Sequence, residues 1–71
     1  NMTIDEKIDY LGDFPPHIPP PTCIFMTEKT EHRGVFQEKV GEEIKIKITD
    51  QKEEMIKIDE LTDIKMAGFL S

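Results

Sequence analysis

Apolar positions along the chain follow two periods, separated by a block of prolines. Near the start, Ile4, Ile8 and Leu11 recur at spacings of four and three, which is one face of a helix. Thr3 followed by Glu6 forms a capping box: the hydroxyl accepts an N–H of the first turn and the Glu side chain reaches back to the cap. Gly12 sits where a left-handed residue is expected to end the helix. A helix over residues 3–12 is too short to persist alone in water, so its isoleucine face is expected to dock on the rest of the chain.

The block DFPPHIPPP, residues 13–21, holds five prolines. Proline excludes helix interior and central strand, so this stretch is predicted to be an extended polyproline II strap with Phe14 and Ile18 turned toward the core. Pro16 and Pro19 also form the PxxP spacing read by SH3-type grooves. Such ligands normally carry a flanking Arg or Lys, which is missing here, so a strap is the preferred reading and a ligand the alternative.

From Thr22 onward the period changes to two. TCIFMTEKT is rich in β-branched and aromatic residues and predicts a first strand. HRGVFQEKV predicts a second, with Gly34 marking a bulge or tight bend. Gly41 opens a turn, and EEIKIKITD alternates strictly as a third strand. DQKE is a polar turn, after which EMIKID resumes the alternation with Ile56 and Ile58. Residues 59–63 suggest a single helical turn, and Ile64 and Met66 a last short strand. The predicted class is mainly β: a small five-stranded barrel over residues 22–71, preceded by a helix and strap over residues 1–21. Ile4, Ile8, Leu11 and Phe14 should be buried against Ile44, Ile46, Ile48, Ile56, Ile58 and Ile64.

Five short strands with a bend after the first pair and a turn before the last look like an SH3-like or Sm-like barrel. The stretch RGVFQEKVGEEIKIKITDQKEEMIKIDELTDIKM also resembles the C-terminal part of YolD-like proteins of Gram-positive bacteria and phages. Ile58, Asp59, Asp63 and Ile64 would occupy that family's closing motif. The departures matter. An Sm-like RNA site would place Asn and Asp after the second strand and an Arg-Gly pair near the fourth. This chain has Gly41-Glu42-Glu43 in the first region and no arginine after Arg33. The resemblance therefore implies neither the ring of subunits nor the RNA pocket, and the link of YolD-like proteins to error-prone DNA polymerases does not transfer.

Size and charge narrow the reading further. A chain of 71 residues is one small domain, and such a chain buries only ~60% of the surface its unfolded form exposes. Cys23 is the single cysteine, so an internal disulfide is impossible and a reducing compartment is favoured. Self-association or a partner protein is the expected support, through the open edge of the last strand and the terminal Phe69 and Leu70. No apolar run approaches the ~20 residues needed to span a bilayer, and the N-terminus lacks the order of a signal peptide. Met2 reads as the natural start, with Asn1 an addition ahead of it. The expected location is cytoplasmic.

Candidate chemistry is sparse. Cys23 with His17 or His32 offers a thiolate–imidazole pair or, taken together, three zinc ligands. Yet Cys23 lies within a predicted strand, where a free cysteine behaves as a small buried hydrophobe, and the paired spacing of a zinc site is lacking. The glycines are scattered rather than gathered into a phosphate loop, and the carboxylates flank strands as turn charges. The expectation is a non-enzymatic protein without cofactor or metal.

Two functional readings remain. With fifteen acidic residues against nine basic ones and a formal charge of −6, the first is a protein-binding adaptor or inhibitor, phage- or mobile-element-encoded. Its candidate contacts are Phe14, Pro16, Pro19, Glu42, Glu43, Glu53, Glu54 and Phe69, and mimicry of nucleic acid by the acids is a variant of it. The alternative is an Sm-like or SH3-like nucleic-acid binder that uses Lys45, Lys47, Lys57 and Arg33, with His32 beside them. Against it, outward positions of these strands carry no aromatic side chain to stack a base, and lysine on edge strands also guards against aggregation.

Overall fold

The computed structural model describes residues 2–66. The helix α1 spans Ile4–Gly12 and opens with the reciprocal capping box: Glu6 N–H donates to the Thr3 hydroxyl at 3.1 Å, and Thr3 N–H to the Glu6 carboxylate at 2.8 Å. Its end differs from expectation. Gly12 is the last helical residue and is not left-handed; Asp13, in right-handed helical conformation, forms the cap.

The proline block is not one continuous extended strap. Ile18 N–H donates to Pro15 C=O at 3.0 Å, closing a turn at Pro16 and His17. Proline pre-sets the backbone angle required after the first residue of such a turn. The turn swings Ile18 outward, where it is 46% exposed. Phe14 is half-buried and meets Tyr10 edge-to-face at 5.3 Å.

Five antiparallel strands follow: β1 Thr22–Thr27, β2 Glu31–Val40, β3 Glu43–Thr49, β4 Lys52–Lys57 and β5 Leu61–Lys65. They form one sheet in the order β4-β3-β2-β1-β5, with a 3-10 turn at Ile58–Glu60 between β4 and β5. The expected closed barrel is not formed. β4 and β5 end the sheet and share no ladder, so the sheet has two edges. The last strand also begins earlier than its sequence suggested, because Leu61 is buried and pairs with Thr27.

The long strand β2 links the two halves of the sheet. Glu31–Val35 pair with β1, and Val35–Val40 pair with β3. Gly34 sits where these halves meet, and a Cβ there would lie 2.6 Å from the Lys47 carbonyl oxygen. Only glycine lets the two backbones approach so closely. At the β2–β3 hairpin, Gly41 has φ +63°, the left-handed conformation of a tight turn.

The core is a single cluster on the inner face of the sheet, closed by α1. Ile8 and Leu11 share this cluster with Ile44, Ile46, Ile56 and Ile64, as the pattern predicts, and Cys23, Phe25, Phe36 and Leu61 belong to it too. Ile4, Ile48 and Ile58 are only partly buried against this cluster. Phe14 lies outside it.

Candidate interaction surface

The alternation that buries Ile44 and Ile46 turns Lys45 and Lys47 to the outer face. The ladders decide which residues stand beside them. Lys47 is opposite Glu53, and Lys57 is opposite Glu43. Lys45 stands between Met55 on β4 and Glu38 on β2, and its ammonium is 3.2 Å from the Glu38 carboxylate. Directly opposed outer-face side chains lie within contact range. The expected three-lysine patch is therefore a chequerboard of opposite charges that holds apolar Met55, Val35 and Val40. Met55 and Val40 are nearly half exposed.

The structure thus joins residues that belonged to rival readings. Glu43 and Glu53 share the outer face with Lys45, Lys47 and Lys57, and Arg33 lies further along β2 on that face, opposite Ile24. Glu54 does not join them. It points to the inner side opposite Ile46, where its carboxylate is 2.9 Å from His32 Nδ1 and 3.8 Å from the Lys52 ammonium. Glu42 is exposed in the hairpin and lines an open cleft of about 540 Å³ with Ile4, Asp5, Lys39, Ile58 and Asp59. Pro16 and Pro19 stand apart in the exposed connection before β1. Phe69 and Leu70 lie outside the described residues.

The two sheet edges are treated differently. On β5, Asp63 Oδ1 accepts the Ile64 N–H at 2.8 Å, while the Lys7 ammonium donates to the Ile64 carbonyl and to Asp63, each at 2.9 Å. An edge strand normally offers such groups to another chain; here the helix and a neighbouring side chain occupy them. The Lys7 bond, above all, holds the Asp63 carboxyl below its ordinary value of 3.8, with the Ile64 N–H assisting and partial burial opposing. On β4, no other described strand lies beyond the edge.

Lys7 was missed from the sequence, although a signal was present. With Ile4, Ile8 and Leu11 it completes the i, i+3, i+4, i+7 stripe, so it points at the sheet from the docked face. Met55 was missed because its importance depends on its cross-strand neighbours.

Cys23 behaves as the core position its strand suggested. It has no accessible surface, its thiol donates to the Pro21 carbonyl at 3.5 Å, and burial pushes its pKa up to about 11 against a small opposing pull from Lys7. His32 faces Glu54 rather than sulfur, and His17 is exposed in the proline turn. Among the described residues no cluster of His, Cys, Asp and Glu is arranged to hold a metal ion.

Fold and surface together define a small β-sheet module with a helix closing one face and a mixed-charge, partly apolar opposite face. The family model described as spore coat protein CotO, C-terminal, matches residues 1–69, and the chain belongs to that family. This corrects the SH3-like, Sm-like and YolD-like resemblances, which rested on strand spacing that many small sheets share. No curated protein and no solved structure matches the chain.

Proposed function

We propose that this domain is a non-enzymatic protein-binding module of the spore coat, which holds its chain among other coat proteins through the outer face of its sheet. The observation that carries this reading is the outer face itself. Lys45, Lys47 and Lys57 each stand beside an acid, with exposed Met55 and Val40 between them. Alternating charges around apolar side chains suit a protein surface, since they fix register and reject wrong partners. They suit a polyanion poorly, because Lys45 is paired with Glu38 and Lys47 and Lys57 each face a carboxylate across the ladder. Family membership supports the location, and the inaccessible Cys23 thiol, kept protonated by burial, supports a role without nucleophilic catalysis.

The test is a fluorescent fusion of the domain expressed during sporulation. The wild-type fusion is expected at the coat, and Lys47→Glu with Met55→Asp is expected to leave it diffuse while the purified variant retains its fold. Coat localisation unchanged by those substitutions would overturn the outer-face assignment. A companion titration with labelled DNA and RNA checks the polyanion argument: micromolar binding at physiological salt, lost on Lys45→Glu with Lys47→Glu, would overturn protein binding as the role of this face.

A further inference from the structure

The open edge of β4 has a property beyond being unpaired: its sequence complements itself in one register. The Ile58 N–H donates to the Glu42 carbonyl at 2.9 Å, which makes Glu42 and Ile58 a directly bonded antiparallel pair. Bonded and non-bonded pairs alternate along such a ladder. Ile44/Ile56 and Ile46/Glu54 are therefore the bonded pairs, and Glu43/Lys57, Lys45/Met55 and Lys47/Glu53 are not. The backbone N–H and C=O groups of Glu53, Met55 and Lys57 consequently turn away from β3, toward the open edge. The side chains of the same three residues lie on the outer face.

We propose that β4 pairs antiparallel with β4 of a second copy, about a two-fold axis through Met55. In this register Met55 meets Met55 of the second copy, and each Glu53 meets the other copy's Lys57. All three outward-facing residues find partners, forming about six backbone hydrogen bonds by the antiparallel pattern. The charge pattern continues without a break across the axis. One row reads Lys47, Glu53, then Lys57 and Glu43 of the second copy; the central row reads Glu38, Lys45, Met55, then its mirror image.

The neighbouring registers fail on charge. An axis at Glu53 or Glu54 sets glutamate on glutamate, and an axis at Lys57 sets lysine on lysine. An axis at Ile56 places Glu53 beside Asp59 of the second copy and pairs only Met55 with Lys57. Like charges directly opposite are destabilising, so the Met55 axis alone is self-complementary. The β5 edge offers no equivalent, since Lys7 and Asp63 occupy its Ile64 groups. The pairing needs only this chain and stands whether or not the domain's place is in the coat.

The experiment is sedimentation of the full chain over a concentration series, with three substitutions. Wild type is expected to be dimeric at about 100 μM, in keeping with a small interface. Met55→Pro removes an N–H that faces the open edge and is spared by β3, so the monomer should keep its strand circular dichroism while dimerisation weakens at least tenfold. Met55→Lys, which leaves the backbone untouched and sets like charges on the axis, should weaken it to the same extent and serves if proline disturbs the fold. Under mild oxidation Met55→Cys should crosslink across the axis, whereas Glu53→Cys should not, because the two copies of residue 53 lie four residues apart along the ladder. A wild type that stays monomeric at several hundred micromolar overturns the proposal. So does a dimer indifferent to both Met55 substitutions, or a Glu53→Cys crosslink as efficient as that at residue 55.

Discussion

Replacing Gly34 with alanine adds one methyl group where β2 passes from one half of the sheet to the other. That carbon would meet the Lys47 carbonyl oxygen at 2.6 Å, the carbonyl carbon at 3.2 Å and Ile48 Cδ1 at 3.3 Å. The Ile48 methyl can rotate aside, but the Lys47 carbonyl belongs to the β3 backbone, which is held by β2 on one side and β4 on the other. Relief therefore requires the strands to separate. Overpacking of this kind costs about 1–3 kcal/mol, offset by ~0.4–1 kcal/mol because alanine restricts the unfolded chain more than glycine does. A net loss of about 1–2 kcal/mol is expected. At ~0.05–0.15 kcal/mol per residue, that is a large share of the stability of so small a domain.

The assay is thermal and urea unfolding followed by circular dichroism. A loss of about 1–2 kcal/mol lowers Tm by roughly 4–16 °C in a domain of this size. Gly41→Ala is the control, since nothing lies within 4 Å of its added carbon but φ is +63°; its cost should be about 1–2 kcal/mol, from backbone conformation alone. Asparagine, which tolerates that conformation, should recover much of the loss at position 41 and none at position 34. If Gly34→Ala melts within about 3 °C of wild type, the close approach of the β2 and β3 backbones at Gly34 is wrong.

Other perturbations address the core and its titratable groups. Ile46→Ala removes a side chain with no accessible surface and should cost about 2–5 kcal/mol by denaturant titration. Asp63 has a depressed folded pKa, so its contribution is present above the ordinary value of 3.8 and is lost as pH falls through and below it; the stability gap between wild type and Asp63→Asn should narrow over that acid range. Cys23, with its pKa raised to about 11, should resist thiol reagents in the native state at pH 8 and react fully in urea; rapid native labelling would contradict its burial.

How much of this was legible in the sequence depended on whether a signal was local. The capping box at Thr3 and Glu6 and the alternation from Ile44 to Ile48 are short-range patterns, and both elements form where they predict. β1 read less well: Cys23 and Phe25 are buried, but Ile24 and Met26 on the other face are apolar too, so TCIFMT carried no alternation to reveal its inner side. Acids and a threonine surround Leu61 and mask it, so the sequence pattern starts β5 too late. Ile18 points inward only in an unbroken strap, and the turn from Pro15 to Ile18 breaks it. The candidate site depended still more on long-range pairing. Lys45, Lys47 and Lys57 form a basic stripe along the sequence, and only the register, which sets Glu53, Glu43 and Glu38 beside them, converts it into a balanced surface.

The two edges of the sheet lead to a last prediction. A strand edge that pairs with its own copy about a two-fold axis closes at two chains, provided the opposite edge accepts nothing. In this domain that condition falls to Lys7, whose ammonium occupies the Ile64 carbonyl and anchors Asp63 against the Ile64 N–H. Lys7→Met keeps most of the aliphatic stem that packs between helix and sheet but withdraws the donor. The Ile64 carbonyl then faces solvent, and the Asp63 carboxyl, losing its main stabilising contact, returns toward its ordinary pKa. Both edges of the sheet become available, and an assembly that stops at a pair should grow. Light scattering of Lys7→Met is expected to show species larger than a dimer at concentrations where wild type shows none. Adding Met55→Pro to the same chain should hold growth to pairs made through β5. If Lys7→Met sediments as wild type does and retains its Tm, the lysine is not what closes the β5 edge, and the difference between the two edges must have another cause.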